Sequence, residues 1–154
     1  MKKLTNILLF TLLISVAMSA QKTKEAVLKK LDSQTEKYGS IAMQIWDLAE
    51  MGYLEEQSSS LLQETLSKEG FTIKKSVADI PTAFVAEYGS GKPIIGIMGE
   101  FDANLGISQK KQPIKDPLEK GAPGHGCGHN LFGTASLGAA IAIKEMIESG
   151  EIFR

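Results

Sequence analysis

Apolar residues recur at helical spacing near the start of the chain. Val27, Leu28 and Leu31 are followed by Ile41, Ile45 and Trp46, which predicts a helix over residues 25–48 with Gly39 as a break. Met51-Gly52-Tyr53 reads as a turn. A second helix is expected over 55–68: acids fill its first turn, Leu61, Leu62 and Leu66 share one side, and Gly70 stops it. Residues 71–75 and 83–88 read as strands. Gly89-Ser90-Gly91-Lys92 reads as a tight turn, so 83–88 and 93–101 are expected to pair as a hairpin. Ile94, Ile95, Ile97 and Met98 form a near-continuous apolar run, as in a strand covered on both faces. Residues 104–126, with Lys110, Lys111, Pro113, Lys115, Asp116, Pro117, Lys120 and Pro123 among them, read as a long solvated loop. Residues 130–148 read as a helix whose first half is apolar or small all round, hence buried. Trp46, Phe84 and Phe101 read as core.

The N-terminus departs from this pattern. Lys2 and Lys3 precede a short apolar core, residues 7–18, and small residues follow at Ala17, Ser19 and Ala20. That arrangement is expected of an export signal over residues 1–20, with the mature chain in the periplasm or secreted. No later apolar run is long enough to cross a membrane. Loss of the signal removes two lysines and no acid. It leaves 15 basic against 18 acidic groups, a net charge near −3. A mildly acidic chain lacks the basic face that nucleic acid demands. One cysteine in 154 residues excludes an intrachain disulfide and leaves a reactive thiol, an intermolecular link or a metal ligand.

Candidate chemistry gathers in the second half, where twelve of fifteen glycines lie at or after Gly89. Gly124-His125-Gly126-Cys127-Gly128-His129-Asn130 holds the sole cysteine and both histidines. Cys127 and His129, one residue apart, reach a single metal ion if the backbone bends, which the glycines permit. Two other readings stand beside this one. Cys127 can serve as a nucleophile with His125 or His129 as base, or the segment is a glycine-rich turn with a buried thiol. His125 admits several roles: supporting a ligand, facing substrate, or lying exposed. A phosphate loop fits poorly, because no Lys-Ser or Lys-Thr follows the glycines. Glu100 and Asp102 lie at the end of the apolar strand, where both can share one face. By themselves they also read as solvated acids.

Gly99-Glu-Phe-Asp-Ala, and Pro123-Gly-His-Gly-Cys-Gly-His-Asn-Leu-Phe-Gly-Thr-Ala-Ser-Leu-Gly-Ala-Ala after it, resemble the aminoacylase/carboxypeptidase-type metallohydrolase family. The similarity runs from about residue 41 to the end and is nearest the aminobenzoyl-glutamate-hydrolase-like branch. Trp46-Asp-Leu-Ala-Glu-Met-Gly-Tyr also resembles that family's first helix and turn. The resemblance implies an α/β catalytic domain with a mixed sheet flanked by helices, and a homodimer for the intact protein. It implies two divalent metal ions, zinc or manganese, with Cys127 and His129 as ligands and Asp102 as an acid serving the catalytic site. Glu100 stands where many members carry a histidine ligand. Asn130 replaces an aspartate common in other branches. Asn104-Leu105 replaces the usual Leu-Pro.

The activity so implied is hydrolysis of an amide bond in a small-molecule amide or peptide substrate. An N-acyl amino acid, an aminobenzoyl-glutamate-like compound and a dipeptide are the classes expected. Metal-activated water attacks, and a carboxylate acts as base. By the same resemblance that base lies some thirty residues past the cysteine-histidine motif. Residues 21–154 are therefore expected to be the N-terminal part of an incomplete catalytic domain, inactive by itself. The rivals are a thiol hydrolase using Cys127 and a binding module built on the glycine-rich loop.

Overall fold

The computed structural model describes residues 23–151. The expected export signal lies outside them. A helical stretch over 23–33 leads into α1, Thr35–Leu48. The interruption falls at Gln34, and Gly39 lies within α1. Tyr38, Ile41, Ala42 and Ile45 recur every three or four residues and form the inward stripe. Ala49 closes the helix in the left-handed conformation, its N–H bonded to the Ile45 carbonyl.

Helix α2, Glu56–Lys68, begins without a side-chain cap from its own N-cap residue Glu55. Glu50 supplies the cap instead. Its carboxylate accepts the Gln57 N–H at 3.0 Å, the Ser58 N–H at 2.8 Å and the Ser58 hydroxyl at 2.7 Å. Burial acts to raise the Glu50 carboxyl, but these donors outweigh it and hold it below its ordinary value. The far end closes through Gly70 at φ +91°. Gly70 N–H bonds the Ser67 carbonyl and Phe71 N–H bonds that of Leu66. That closure tucks Phe71 into the core and starts β1, Thr72–Lys75.

Strand β1 pairs antiparallel with β2, Phe84–Glu87, with Ile73 opposite Ala86 and Lys75 opposite Phe84. The two form a two-stranded sheet. A short 3₁₀ turn, Val77–Asp79, joins them. The last helix, α3 (His129–Glu148), packs against α1 and α2. Ile41, Ile45, Leu62, Leu66, Phe71, Leu137 and Ile141 make one core, with Ile73, Phe84, Ala86 and Phe101 packed around it. Helices with a small antiparallel sheet give a mixed α/β unit, the class expected from the sequence.

Three expectations about pairing and burial are corrected. Strand 83–88 does not pair with 93–101: its partner is β1, which lies beside it through a short connection and offers the matching apolar face. The run at 94–98 is not covered either. Ile94 is 86% exposed and Met98 70%, and among the described residues the segment forms no backbone–backbone hydrogen bond. An apolar strand is covered on both faces only where elements pack on each side, and here α3 approaches from one. For the same reason the first half of α3 is not buried all round. Gly133, Thr134, Leu137 and Gly138 face inward, while Leu131 and Phe132 remain exposed.

Candidate functional site

Three short segments meet at the start of α3. Ala103 is buried, and its N–H bonds the Glu50 carbonyl at 2.7 Å, which fixes residues 100–104 beside the end of α1. Asn104 and Gly124 exchange two backbone hydrogen bonds, at 2.9 and 3.0 Å, which brings the glycine-rich segment alongside. Gly128, at φ +87°, then turns the chain into α3 so that His129 opens the helix. Close packing sets the depth. A Cβ on Gly133 would stand 2.9 Å from the Glu100 carbonyl oxygen and 3.1 Å from Phe101 Cβ. Glycine there lets α3 lie directly on the segment that carries Glu100 and Asp102. Ser136 reinforces the contact by donating its hydroxyl to the Met98 carbonyl at 2.6 Å.

The result is a histidine held between two carboxylates. His129 Nδ1 lies 2.7 Å from Asp102 Oδ1, and Nε2 lies 3.1 Å from Glu100 Oε2. One ligand-capable atom from each of Glu100, Asp102 and His129 lies within 4.8 Å of the others. The count of donors decides what can sit there. Asp102 accepts the Nδ1–H, so a neutral ring turns its Nε2 lone pair toward the Glu100 oxygen. Two lone pairs at that distance require a proton or a cation between them. Oxygen and nitrogen ligands about 2.1 Å from one ion stand about 3.0–3.4 Å from each other, so the separation suits a divalent metal. The residues present therefore fit the group that the resemblance implies.

Cys127 lies at the edge of this arrangement. It is exposed and free, and its Sγ accepts a hydrogen bond from Asn104 Nδ2 at 2.9 Å. It does not belong to the Glu100–Asp102–His129 group. Among the described residues no imidazole contacts the thiol. His129 is occupied by carboxylates, and His125 is directed elsewhere.

His125 is buried, not exposed: 3% of its surface remains accessible. Its Nε2–H donates to the Ile45 carbonyl at 3.0 Å, and its ring lies tilted against Trp46. Burial pushes its pKa down, and the nearby His129 works in the same direction. The Ile45 bond and Asp102 oppose them, and burial prevails. Asn130, 2% exposed, donates to the Ala42 carbonyl at 3.2 Å. His125 and Asn130 thus tie the glycine-rich turn to carbonyls of α1 and fix where His129 begins its helix.

Sequence reasoning left the role of Glu100 open and gave Asn104 no contact. Both roles follow only from the approach of two segments that lie far apart in the chain. Asp102 and Asn104 are two residues apart, as are Cys127 and His129, and the two pairs face each other. A cleft of about 220 Å³ lies elsewhere, bordered by Trp46, Leu118 and Pro123, and includes none of the clustered acids or His129. Among the described residues no helix is long and apolar enough to cross a membrane.

Comparison with known proteins supplies a context for this geometry. No protein-family model matches the chain. It is 44% identical over 121 residues to a p-aminobenzoyl-glutamate hydrolase subunit of Escherichia coli, covering 77% of this chain and 25% of that protein. Thermostable carboxypeptidase 2 of Saccharolobus solfataricus is 32% identical over 73% of this chain and 29% of its own length. Xaa-Arg dipeptidase of Mus musculus is 25% identical over 88% of this chain and 30% of its own. The chain thus spans under a third of the length of these relatives.

Proposed function

We propose that this chain, which belongs to the amidohydrolase and peptidase family of those relatives, supplies the metal-holding part of a hydrolase that cleaves an amide bond in a small substrate. The names of the relatives point to aminobenzoyl-glutamate-like compounds and dipeptides, and the resemblance adds N-acyl amino acids. The observation that carries the reading is His129 between Asp102 and Glu100, both ring nitrogens facing carboxylate oxygens.

In this reading His129 Nε2 and Glu100 hold a divalent ion, zinc or manganese, and Cys127 adds a thiolate from the same turn. A second ion belongs to the intact site. Such an ion, when bound, polarises an amide carbonyl and makes bound water a nucleophile near neutral pH. Asp102 accepts the Nδ1–H of His129, which fixes the tautomer and aims Nε2. Asp102 thus serves catalysis by orienting a ligand. Gly133 and Ser136 keep the carboxylate segment against α3. Residues 1–20 direct export, and the mature chain works in the periplasm or outside the cell. The thiol-hydrolase alternative gains no support, since no imidazole reaches Cys127 among the described residues.

A graft tests this reading. The matched residues of this chain replace their counterparts in the Escherichia coli relative, and hydrolysis of aminobenzoyl-glutamate and of a dipeptide is measured with zinc or manganese. The graft is expected to hydrolyse one of them, to lose activity to a chelator, and to lose it with His129→Ala. A His129→Ala graft as active as the parent graft contradicts the proposal. The 154-residue chain assayed alone is expected to show no turnover.

A further inference from the structure

We infer that Asn104 is a positioning residue for Cys127, fixing the direction of its sulfur through an N–H···S hydrogen bond. The inference rests on the proposed metal-binding role of Cys127 and His129. It adds a residue to which neither the resemblance nor any relative's name gives a task.

Two features of the structure carry it. The first is the anchoring of Asn104. Its backbone is locked to Gly124 by two reciprocal hydrogen bonds, and the preceding Ala103 is pinned to the Glu50 carbonyl. The side chain therefore projects from a fixed base. The second is register. Ala103 points inward and is buried, so Asp102 and Asn104 on either side of it point outward together. Across from them, Cys127 and His129 are also two apart. Asp102 meets His129 at 2.7 Å and Asn104 meets Cys127 at 2.9 Å, two successive rungs between the same two segments. The Asp102 rung orients the imidazole. By the same construction the Asn104 rung orients the sulfur.

The chemistry suits the task. An amide N–H donates to one sulfur lone pair and leaves the others for a metal. Partners of this kind hold a ligand's direction and are worth about 10–100-fold in metal affinity. An apolar side chain at 104 would give Cys127 no donor. The thiol is exposed, so without that bond its side chain is free to turn among rotamers.

Cobalt(II) tests the inference because a cobalt–thiolate bond gives a near-ultraviolet charge-transfer band whose energy reports on the sulfur lone pairs. The full 154-residue chain is titrated with cobalt(II) alone, as are Asn104→Leu, Asn104→Gln and Cys127→Ser. The parent is expected to show the band and Cys127→Ser to lose it. Asn104→Leu is expected to bind about 10–100-fold more weakly and to show the band at lower energy, since its sulfur no longer shares a lone pair with a donor. Asn104→Gln, which keeps an amide donor, is expected to restore part of both. A weaker Asn104→Leu with an unmoved band shows that Asn104 only packs the loop and overturns the inference, as does a variant identical to the parent. A parent without any band overturns the metal-ligand role of Cys127 and the inference with it.

Discussion

At the scale of single residues, the site depends on which group donates to which. Asp102 fixes His129 by accepting its Nδ1–H at 2.7 Å, and Asn in its place offers a weaker acceptor and an unwanted donor. Asp102→Asn is expected to weaken zinc binding by about 10–100-fold, measured by competition with a chelating dye. Glu50 does comparable work for the fold. It caps α2 with a carboxylate that is held low by Ser58 and Gln57 against the opposing effect of burial. Glu50→Ala is expected to cost about 1–2 kcal/mol in urea unfolding at neutral pH. The sign with pH follows from the direction of the shift. A carboxyl with a lowered folded pKa stabilises the native state above its unfolded value. That contribution fades as pH falls through the folded value, where both states are protonated. The gap between parent and Glu50→Ala is therefore expected to shrink on acidification.

At the scale of elements, periodicity made α1, α2 and α3 legible, because each buries a stripe of residues at helical spacing such as Ile41–Ile45 and Leu137–Ile141. The strands at 72–75 and 84–87 were legible too, but not their pairing. Alternation marks a strand without marking its neighbour, and Gly89–Lys92 resembles a hairpin turn although β2 pairs back to β1. Burial at 94–98 could not be read from composition, since Ile and Met describe what a strand prefers and not what lies against it. At the site, Cys127, His129 and Asp102 stood out by residue type. Glu100 and Asn104 acquire roles only when the segments around 102 and 127 are set side by side, a long-range contact that no local pattern encodes. Gly133 belongs to the same category. Gly133→Ala places a methyl 2.9 Å from the Glu100 carbonyl oxygen and 3.1 Å from Phe101 Cβ, neither of which can rotate away. It is expected to cost about 1–3 kcal/mol and to weaken metal binding together with stability. Thermal melts and zinc titration of the same preparation check both.

At the scale of the whole molecule, a small core under α1, α2 and α3 carries a site on its rim, and the site draws on residues from Glu50 to His129. On the proposed reading metal and fold are linked: an ion that binds only the folded chain stabilises it by about 2.7 kcal/mol at a hundredfold excess over its dissociation constant. The apolar run at Ile94–Met98 lies in no strand and forms no backbone–backbone hydrogen bond among the described residues, and an exposed apolar segment of this kind favours association. Ile95→Lys is expected to lower light scattering of the concentrated protein without changing zinc affinity. The central claim is that His129, between Glu100 and Asp102, holds a divalent metal ion. Equilibrium dialysis of the full chain against zinc, beside His129→Ala, tests it most directly. The expected result is saturable zinc binding by the parent that falls by at least about tenfold in affinity in a His129→Ala chain with an unchanged circular dichroism spectrum. Zinc binding of equal affinity in both, or none in a folded parent, would contradict it.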